Sequence, residues 1–365
     1  MKQSLQRSDA LHGRVQAFIR ACSHGAETPE SFDALACSIA RFQAEAGNGL
    51  ERLLSARGAE ACELRDASQI PAIPTDAFKL RRIACHAPEL DAIVFRTSGT
   101  TVGARGEHPM RTTETYEAAA RAWGTKMLVP DGKRLRVIAL AQQNTADSSL
   151  GFMLGAFGRD FGMDCIWAIE HEVLQLDRIR AACEDAAASQ GAVLVAGASF
   201  AFVHLLDALG GKRIELPPAS RVMQTGGFKG RSREVDGAWL QQSIAAAFGL
   251  EPGMICSEYG MTELSSQAYE GTLRKALRAG DPQGPAGVYF APPWMRVEPV
   301  DPESLAPAET GIARVIDLAN IDSAVAVQTA DLVRRAGKGF ELLGRAPGAL
   351  PRGCSIGIDE LLGAG

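Results

Sequence analysis

The stretch AVLVAGASFAFVHLLDAL, residues 192–209, decides the fold class of the chain. Residues 192–196 form an unbroken apolar run, which is typical of a strand buried on both faces of a parallel sheet. Residues 200–209 carry the apolar pattern of a helix and follow closely behind. A buried strand followed at once by a helix is the repeating unit of parallel α/β sheets, so we predict an α/β fold.

Further patterns extend this unit in both directions. Apolar runs at residues 92–95, 135–140 and 220–225 predict strands, and residues 113–128 predict a helix. The first and last of these runs lead into loops rich in glycine and hydroxyl residues. Because ligands of such sheets collect at the carboxyl ends of the strands, we expect the functional site in these loops.

The two ends of the chain show different patterns. Residues 1–65 are rich in helix-forming residues with apolar side chains at helical spacing, and Pro71 and Pro74 then predict an extended passage. After residue 288, short apolar runs between prolines and glycines predict a smaller β-rich region. The predicted domains are a helical lead-in packed on the main domain (1–88), an α/β domain (89–343) that is β-rich from about residue 288, and a short tail (344–365).

Composition narrows the class of protein. The net charge of -5 argues against a protein that mainly binds nucleic acid. No apolar run approaches the ~18 residues of a membrane span, and residues 1–20 lack the apolar core of a signal peptide. None of the eight cysteines forms a C-x-x-C pair, which argues against a zinc site. These features predict a cytoplasmic enzyme.

The loop Thr97-Ser98-Gly99-Thr100-Thr101 follows the first predicted strand. Its backbone N–H and side-chain O–H groups suit the oxygens of a phosphate chain, and Arg105 adds a cation. A polar turn without a ligand is the alternative interpretation.

Two later segments offer complementary groups. Gly226-Gly227-Phe228-Lys229 would let a flat ligand approach the backbone and would place a cation beside it. Tyr259-Gly260-Met261-Thr262-Glu263 offers an aromatic ring, a hydroxyl and a carboxylate that suits Mg²⁺. The alternatives are a tight turn with an exposed lysine and a helix start near Thr262.

A fourth segment, Gln328-Thr329-Ala330-Asp331-Leu332, precedes Gly344-Arg345. An acid in such a segment commonly accepts hydrogen bonds from ribose hydroxyls. The alternative is a turn aspartate and a surface arginine.

The order and spacing of these segments resemble the signatures of the adenylate-forming superfamily, which includes acyl-CoA synthetases, luciferases and the adenylation domains of peptide synthetases. More narrowly, the chain resembles the LuxE-type acyl-protein synthetases over about residues 70–358. The stretches that carry the narrower resemblance are IPAIPTDAFK (70–79), TGGFK (225–229), PPW (292–294), DPESL (301–305) and RGCS (352–355).

The resemblance implies the fold of the large N-terminal domain of these enzymes, with βαβ subdomains and a small β-rich subdomain. It also implies a role for each matching residue. The implied ligands are the ATP phosphates for Thr97, Ser98, Gly99, Thr100, Thr101 and Arg105; adenine for Gly226, Gly227 and Tyr259; the α-phosphate for Thr262; Mg²⁺ for Glu263; and ribose for Asp331 and Arg345.

The resemblance further implies a catalytic group beyond the nucleotide site. Cys354 would accept the acyl group as a thioester, since thiolate is the best protein nucleophile near neutral pH. Lys229, in preference to Arg105, would supply the catalytic cation. His108 would orient substrate or line the site, and a solvent-facing loop histidine is the alternative.

The chain departs from the superfamily pattern at two kinds of position. Val102 stands where a glycine is usual in the phosphate loop, and Ala330 replaces another glycine. Gly344-Arg345, which in the superfamily opens a hinge to a mobile C-terminal domain, is followed by only twenty residues. We therefore expect that domain to be absent, as it is in LuxE-type proteins.

The predicted function is ATP-dependent activation of a carboxylic acid to acyl-AMP, followed by transfer to a thiol, which makes the chain an acid–thiol ligase. A fatty acid is the favoured substrate and a reductase or carrier protein the implied partner, both by resemblance. One alternative is a stand-alone ligase that acylates coenzyme A, a carrier protein or an amine. Another is a nucleotide- or acyl-binding protein without catalysis.

Overall fold

The computed structural model describes residues 2–97, 105–143, 145–226, 232–233, 235–278 and 286–346. The helices are α1 (Lys2–His24), α2 (Phe32–Ala46), α3 (Leu50–Ala56), α4 (Ala77–Leu80), α5 (Glu114–Leu128), α6 (Ser149–Asp160), α7 (Leu176–Ala188), α8 (Ser199–Leu209), α9 (Gly237–Phe248) and α10 (Thr272–Leu277).

The strands of the same residues are β1 (Ile73–Pro74), β2 (Ile93–Arg96), β3 (Glu107–Met110), β4 (Leu135–Gln142), β5 (Gly162–Glu170), β6 (Val173–Leu174), β7 (Ala192–Ala198), β8 (Arg221–Thr225), β9 (Ile255–Tyr259), β10 (Ala268–Glu270), β11 (Val288–Phe290), β12 (Met295–Val300), β13 (Thr310–Asp317), β14 (Ala326–Ala336) and β15 (Gly339–Arg345).

One large sheet contains most of these strands, in the order β12-β13-β14-β15-β11-β10-β9-β8-β7-β4-β5-β6. The central strands β5, β4, β7, β8 and β9 are parallel neighbours, which confirms the predicted α/β class. Strands β8 and β9 are buried along their whole length, and β7 is buried along all but its last residue. The predicted strands at 135–140, 192–196 and 220–225 and the helices at 113–128 and 200–209 are therefore confirmed.

The β-rich end of the chain continues this sheet. Strands β12 to β15 are antiparallel to one another, and β15 pairs with β11, which pairs with β10 beside β9. Hydrogen bonding therefore runs without a break from the parallel strands to the β-rich strands. The strand β14 contains Asp331, so the alternative of a turn aspartate is wrong.

The predicted strand at 92–95 forms a different structure from the one expected. It lies in β2, which pairs antiparallel with β3 in a separate two-stranded sheet. The glycine-rich loop therefore joins two strands of a hairpin and does not lead from a strand into a helix. The sequence analysis missed β3 because it contains His108 and Pro109, and proline is disfavoured inside strands.

The N-terminal helices pack against the rest of the described structure. Helix α1 contacts α2 and α5, and it buries the predicted apolar face that includes Val15, Phe18 and Ile19. The two prolines of the next segment make the predicted extended passage, since β1 pairs in parallel with β14. None of the described helices has both the length and the apolar character that crossing a bilayer requires.

Helix α6 approaches β5 closely because Gly158 has no side chain. A Cβ at Gly158 would overlap the Cβ of Cys165 and lie 3.1 Å from its Cα. In the same helix, a Cβ at Gly155 would meet only ordinary contacts, the nearest at 3.7 Å from Trp167. One turn of helix therefore provides a matched pair of glycines.

We expect Gly158→Ala to destabilise the protein by about 1–3 kcal/mol, because α6 must move away from β5. Gly155→Ala should be neutral or stabilise by up to ~1 kcal/mol through helix propensity. Urea unfolding of both variants measures the difference. Equal stabilities would contradict this packing of α6.

Candidate active site

The base of the glycine-rich loop and the turn after β9 lie side by side. A Cβ at Gly106 would lie 3.6 Å from Oε1 of Glu263 and 3.1 Å from Cγ2 of Thr97. Glu263 is only 6% exposed. The predicted metal ligand and the first residue of the predicted phosphate loop are therefore neighbours, although 166 positions separate Thr97 from Glu263 in the sequence.

Hydrogen bonds close the base of this loop. The N–H of Thr97 donates to the carbonyl of Gly106 at 2.9 Å, and the N–H of Gly106 donates to Oγ1 of Thr97 at 2.9 Å. Thr97 and Gly106 therefore hold the two ends of the loop together.

Arg105 binds protein acceptors with its guanidinium group. Its Nε donates to the carbonyl of Thr97 at 2.6 Å, its Nη1 to Oδ2 of Asp147 at 2.6 Å, and its Nη2 to the carbonyl of Arg96 at 3.2 Å. These bonds give Arg105 a structural role at the loop base. The resemblance predicted that Arg105 binds the ATP phosphates. An N–H group that already binds a protein acceptor cannot also bind a phosphate at full strength.

His108 links the hairpin to the turn after β9. It is 2% exposed, so the alternative of a solvent-facing loop histidine is wrong. Its Nδ1 lies 2.7 Å from the carbonyl of Thr262, which can only accept, so Nδ1 carries the proton. Its Nε2 then accepts from Oγ of Ser323 at 2.9 Å. Both ring nitrogens are therefore occupied by protein groups.

Burial determines the charge of this histidine. Loss of water lowers the pKa of His108 to about 4, partly opposed by the hydrogen bond to Thr262 and assisted by His86. The imidazole is thus neutral near pH 7. Both ring nitrogens bind protein groups, so the geometry leaves neither for proton transfer.

The turn after β9 is also hydrogen-bonded to the end of β13 and to the loop that follows it. Nδ2 of Asn320 donates to the carbonyl of Glu263 at 2.8 Å, and the N–H of Ser265 donates to Oδ2 of Asp317 at 2.9 Å. Residues 260–264 form no helix, so the alternative of a helix start near Thr262 is wrong. Sequence reasoning missed these supports, although four polar residues are closely spaced at 317–323: Asp317, Asn320, Asp322 and Ser323.

The structure brings together the residues expected at the ribose. The hydroxyl of Tyr259 donates to Oδ2 of Asp331 at 3.0 Å, and Nε of Arg345 donates to Oδ1 of Asp331 at 3.2 Å. Asp331 and Arg345 are direct cross-strand partners on β14 and β15. The Arg345 side chain is 78% exposed, so this pair lies at the rim of the site.

The ring of Tyr259 is not open to solvent as a stacking surface. It is 5% exposed and packs edge-on against Phe340 and Tyr289, at 5.5 and 6.3 Å between ring centroids. Burial and the nearby carboxylate of Asp331 raise the pKa of the phenol well above its usual value. In this conformation the ring is therefore not exposed for stacking on adenine, and its hydroxyl donates to Asp331 instead.

Gly226 directly follows β8 with a positive φ of 65°, and a Cβ there would meet no atom of the described residues within 4 Å. Its carbonyl accepts from Oγ of Ser199, at the start of α8, at 2.7 Å. A positive φ is a conformation that glycine adopts without strain.

A buried polar pair that sequence reasoning missed lies beside this strand end. The hydroxyl of Thr225 donates to the carboxylate of Glu258, which is 6% exposed. A Cβ at Gly260 would overlap the same carboxylate. A larger residue at position 260 would therefore displace the Glu258 carboxylate.

Several predicted site residues lie outside the described residues. These are Ser98, Gly99, Thr100, Thr101, Gly227, Lys229 and Cys354. Their roles remain predictions.

Comparison with known proteins identifies the fold. No protein-family model matches the chain, and no curated protein matches it in sequence. A structure of 2-hydroxyisobutyryl-CoA ligase matches with a TM-score of 0.60 and 11% identity, over 86% of this chain and 67% of the ligase. A second structure of that ligase matches with a TM-score of 0.57 and 13% identity, over 93% and 68% of the two chains.

MatB from Rhodopseudomonas palustris matches with a TM-score of 0.50 and 17% identity, over 70% of this chain. The match spans only 48% of MatB, so the chain corresponds to about half of that protein. These likenesses confirm the expected fold, that of the large domain of adenylate-forming enzymes.

The neutral state of His108 predicts a pH dependence of stability. Its folded pKa of about 4 lies below the ordinary 6.5, so the unfolded chain takes up the proton first. The stability that His108 contributes is therefore complete above pH 6.5 and is lost as the pH falls towards 4, by about 2–3 kcal/mol.

His108→Asn keeps a donor for the carbonyl of Thr262 but cannot titrate. We expect the stability difference between wild type and this variant to shrink as the pH falls from 7 to 4.5, measured by urea unfolding. A difference that is constant over this range would contradict a buried neutral His108.

Proposed function

We propose that the chain uses ATP to convert a carboxylic acid into acyl-AMP. The observation that carries the proposal is the position of the buried Glu263 carboxylate against Gly106, at the base of the glycine-rich loop. The fold supports it, since the MatB structure holds ATP and a 2-hydroxyisobutyryl-CoA ligase structure holds 2-HIB-AMP and CoA.

The reaction requires two anions to meet. A carboxylate oxygen forms a bond to the α-phosphorus of ATP, the bond from that phosphorus to the bridging oxygen breaks, and its electron pair leaves on pyrophosphate. The barrier is largely electrostatic, so backbone donors and cations aimed at the phosphates lower it. The loop between β2 and β3 would supply the N–H groups, and Thr262 would approach the α-phosphate.

The site also fits Mg²⁺. Mg²⁺ in nucleotide sites usually takes one or two protein carboxylates and completes its shell with water and phosphate oxygens. No group of three or more His, Cys, Asp or Glu side chains in the described part of the chain forms a metal cage. Glu263, a single buried carboxylate beside the phosphate loop, is the residue that would hold it. The ion would neutralise charge on the phosphates when bound.

Asp331, supported by Tyr259 and Arg345, would accept hydrogen bonds from the ribose. Gly226 and Gly227 would border the adenine. We assign the catalytic cation to Lys229 in preference to Arg105, whose donors already bind Thr97, Asp147 and Arg96.

The acyl-AMP would then react with a thiol, and we assign that role to Cys354. Burial raises the pKa of six other cysteines and so disfavours their thiolates: Cys22, Cys37, Cys85, Cys165, Cys183 and Cys256. Cys62 is exposed and serves as a natural control. Coenzyme A, a carrier protein or an amine as the acceptor is the competing assignment, and the CoA in the ligase structure favours it.

A fatty acid remains the favoured substrate by resemblance to acyl-protein synthetases. The segment 197–202 (GASFAF) resembles a substrate-pocket segment of the family, but two of its residues are packed in the core. Phe202 is fully buried in the core, and a Cβ at Gly197 would lie 2.7 Å from Cβ of Leu140. Phe200 is partly exposed, packs against the core and meets the His204 ring edge-on at 6.4 Å between ring centroids.

Glu263→Gln should lower acid-dependent ATP–pyrophosphate exchange by about 100-fold or more, because it removes the charge that holds Mg²⁺. Glu107→Gln, next to Gly106 on β3 but in a surface ion pair with Arg96, is the matched control and should stay near wild type. Equal exchange rates for Glu263→Gln and wild type would remove Glu263 from the metal site.

Cys354→Ser should leave ATP–pyrophosphate exchange nearly intact, because the thiol acts only after the adenylate forms. It should abolish hydroxylamine-sensitive labelling of the protein by radioactive acid and ATP, while Cys62→Ser keeps the label. An unlabelled wild type that acylates coenzyme A or a carrier protein efficiently would establish the competing assignment instead.

A further inference from the structure

Lys79 lies beside the candidate site, although it belongs to none of the four sequence segments that define the site. A Cβ at Gly106 would lie 3.6 Å from Cγ of Lys79, the same distance as from Oε1 of Glu263. The stem of Lys79 and the carboxylate of Glu263 therefore flank one point at the base of the phosphate loop.

The backbone of Lys79 is fixed by its neighbours. Strand β1 pairs with β14, and the N–H of Thr75 donates to the carbonyl of Gln328 at 3.0 Å. In α4, Ala77 and Phe78 are buried, and the Phe78 ring meets His108 edge-on at 6.0 Å between ring centroids. The helix that carries Lys79 is thus anchored to the same core as the turn after β9.

The ammonium of Lys79, in contrast, is held weakly. Its Nζ binds Oδ1 of Asp76 at 2.6 Å, and the two side chains are 46% and 28% exposed. Such exposed pairs contribute little free energy, so the ammonium can leave Asp76 for a stronger anion at low cost. Three rotatable bonds lie between the packed Cγ and Nζ, which lets the charge move while the stem stays in place.

The other described cations of the site are already engaged. Arg105 binds three protein acceptors, and Arg345 binds Asp331 at the rim. Among the described residues, Lys79 forms its ion pair with the half-buried carboxylate of Asp76, so a triphosphate beside Glu263 would meet a weakly held cation.

We propose that Lys79 is a catalytic residue whose ammonium moves from Asp76 to a phosphate oxygen of ATP and stabilises the charge that develops during adenylation. This assignment rests on the proposed function and adds a second cation to Lys229. No proton is transferred, since the ammonium acts by charge and hydrogen bonding alone.

Kinetics of acid-dependent ATP–pyrophosphate exchange test the proposal. Lys79→Met keeps the packed stem and should lower kcat about 100-fold with a smaller change in KM for ATP, the pattern of an interaction made mainly in the transition state. Lys79→Arg should recover part of the rate. The exposed Lys133, remote in the sequence on the loop before β4, gives the matched control Lys133→Met, which should match wild type.

Asp76→Asn separates catalysis from structure. If Lys79 acts on phosphate, this variant frees the ammonium and keeps wild-type kcat or exceeds it. A loss in Asp76→Asn as large as in Lys79→Met, with a matching fall in Tm, would show that the ion pair is only structural and would overturn the proposal.

A second readout does not depend on turnover. Mg²⁺–ATP should slow acetylation of Lys79 by an amine-reactive reagent, followed by mass spectrometry, and leave Lys133 unaffected. The role of Lys79 would be refuted, with the proposed function intact, by two results together. Wild type would exchange pyrophosphate without protection of Lys79 by Mg²⁺–ATP, and Lys79→Met would retain full kcat. Wild type that exchanges with no acid, whatever the protection of Lys79, would refute the proposed function instead.

Discussion

The carboxylate of Asp317 joins the turn after β9 to the loop between β13 and β14, and the candidate site is built on this junction. It is fully buried and accepts from the N–H of Ser265 at 2.9 Å, the hydroxyl of Ser266 at 2.7 Å and the N–H of Ala319 at 3.0 Å. Burial raises the pKa of Asp317 to about 6, while these donors oppose the rise. The path of the backbone beyond Glu263 is thereby fixed by a group more than fifty residues away in the sequence.

The N-terminal helices support the same loop from the other side. Nε2 of Gln43 in α2 donates to the carbonyls of Asn320 and Ile321 at 2.7 and 2.9 Å. In α1, Nε2 of His12 lies 2.9 Å from Oδ2 of Asp322. A buried side chain that satisfies backbone acceptors is costly to remove. The helical lead-in is therefore part of the architecture of the candidate site, because it binds the loop between β13 and β14, and that loop binds the turn after β9.

Sequence reasoning predicted the elements that are apolar and missed those that are polar. The runs at 135–140 and 192–196 are strands because burial on both faces requires apolar residues. Strand β3 carries His108 and Pro109, and β14 carries Asp331, so neither shows that pattern. The family resemblance supplied the site residues, but it could not show that the Tyr259 ring is buried. That result depends on Tyr289 and Phe340, which arrive from other strands.

Acid-dependent exchange of labelled pyrophosphate into ATP measures directly whether the chain forms an acyl-adenylate. The wild-type chain should be assayed with Mg²⁺ and a panel of short, aromatic, and medium- and long-chain fatty acids. We expect ATP–pyrophosphate exchange that requires one class of acid and is absent without it. ATP binding without exchange for any acid in the panel would contradict the account and would identify a nucleotide-binding protein that has the fold of adenylate-forming enzymes without their chemistry.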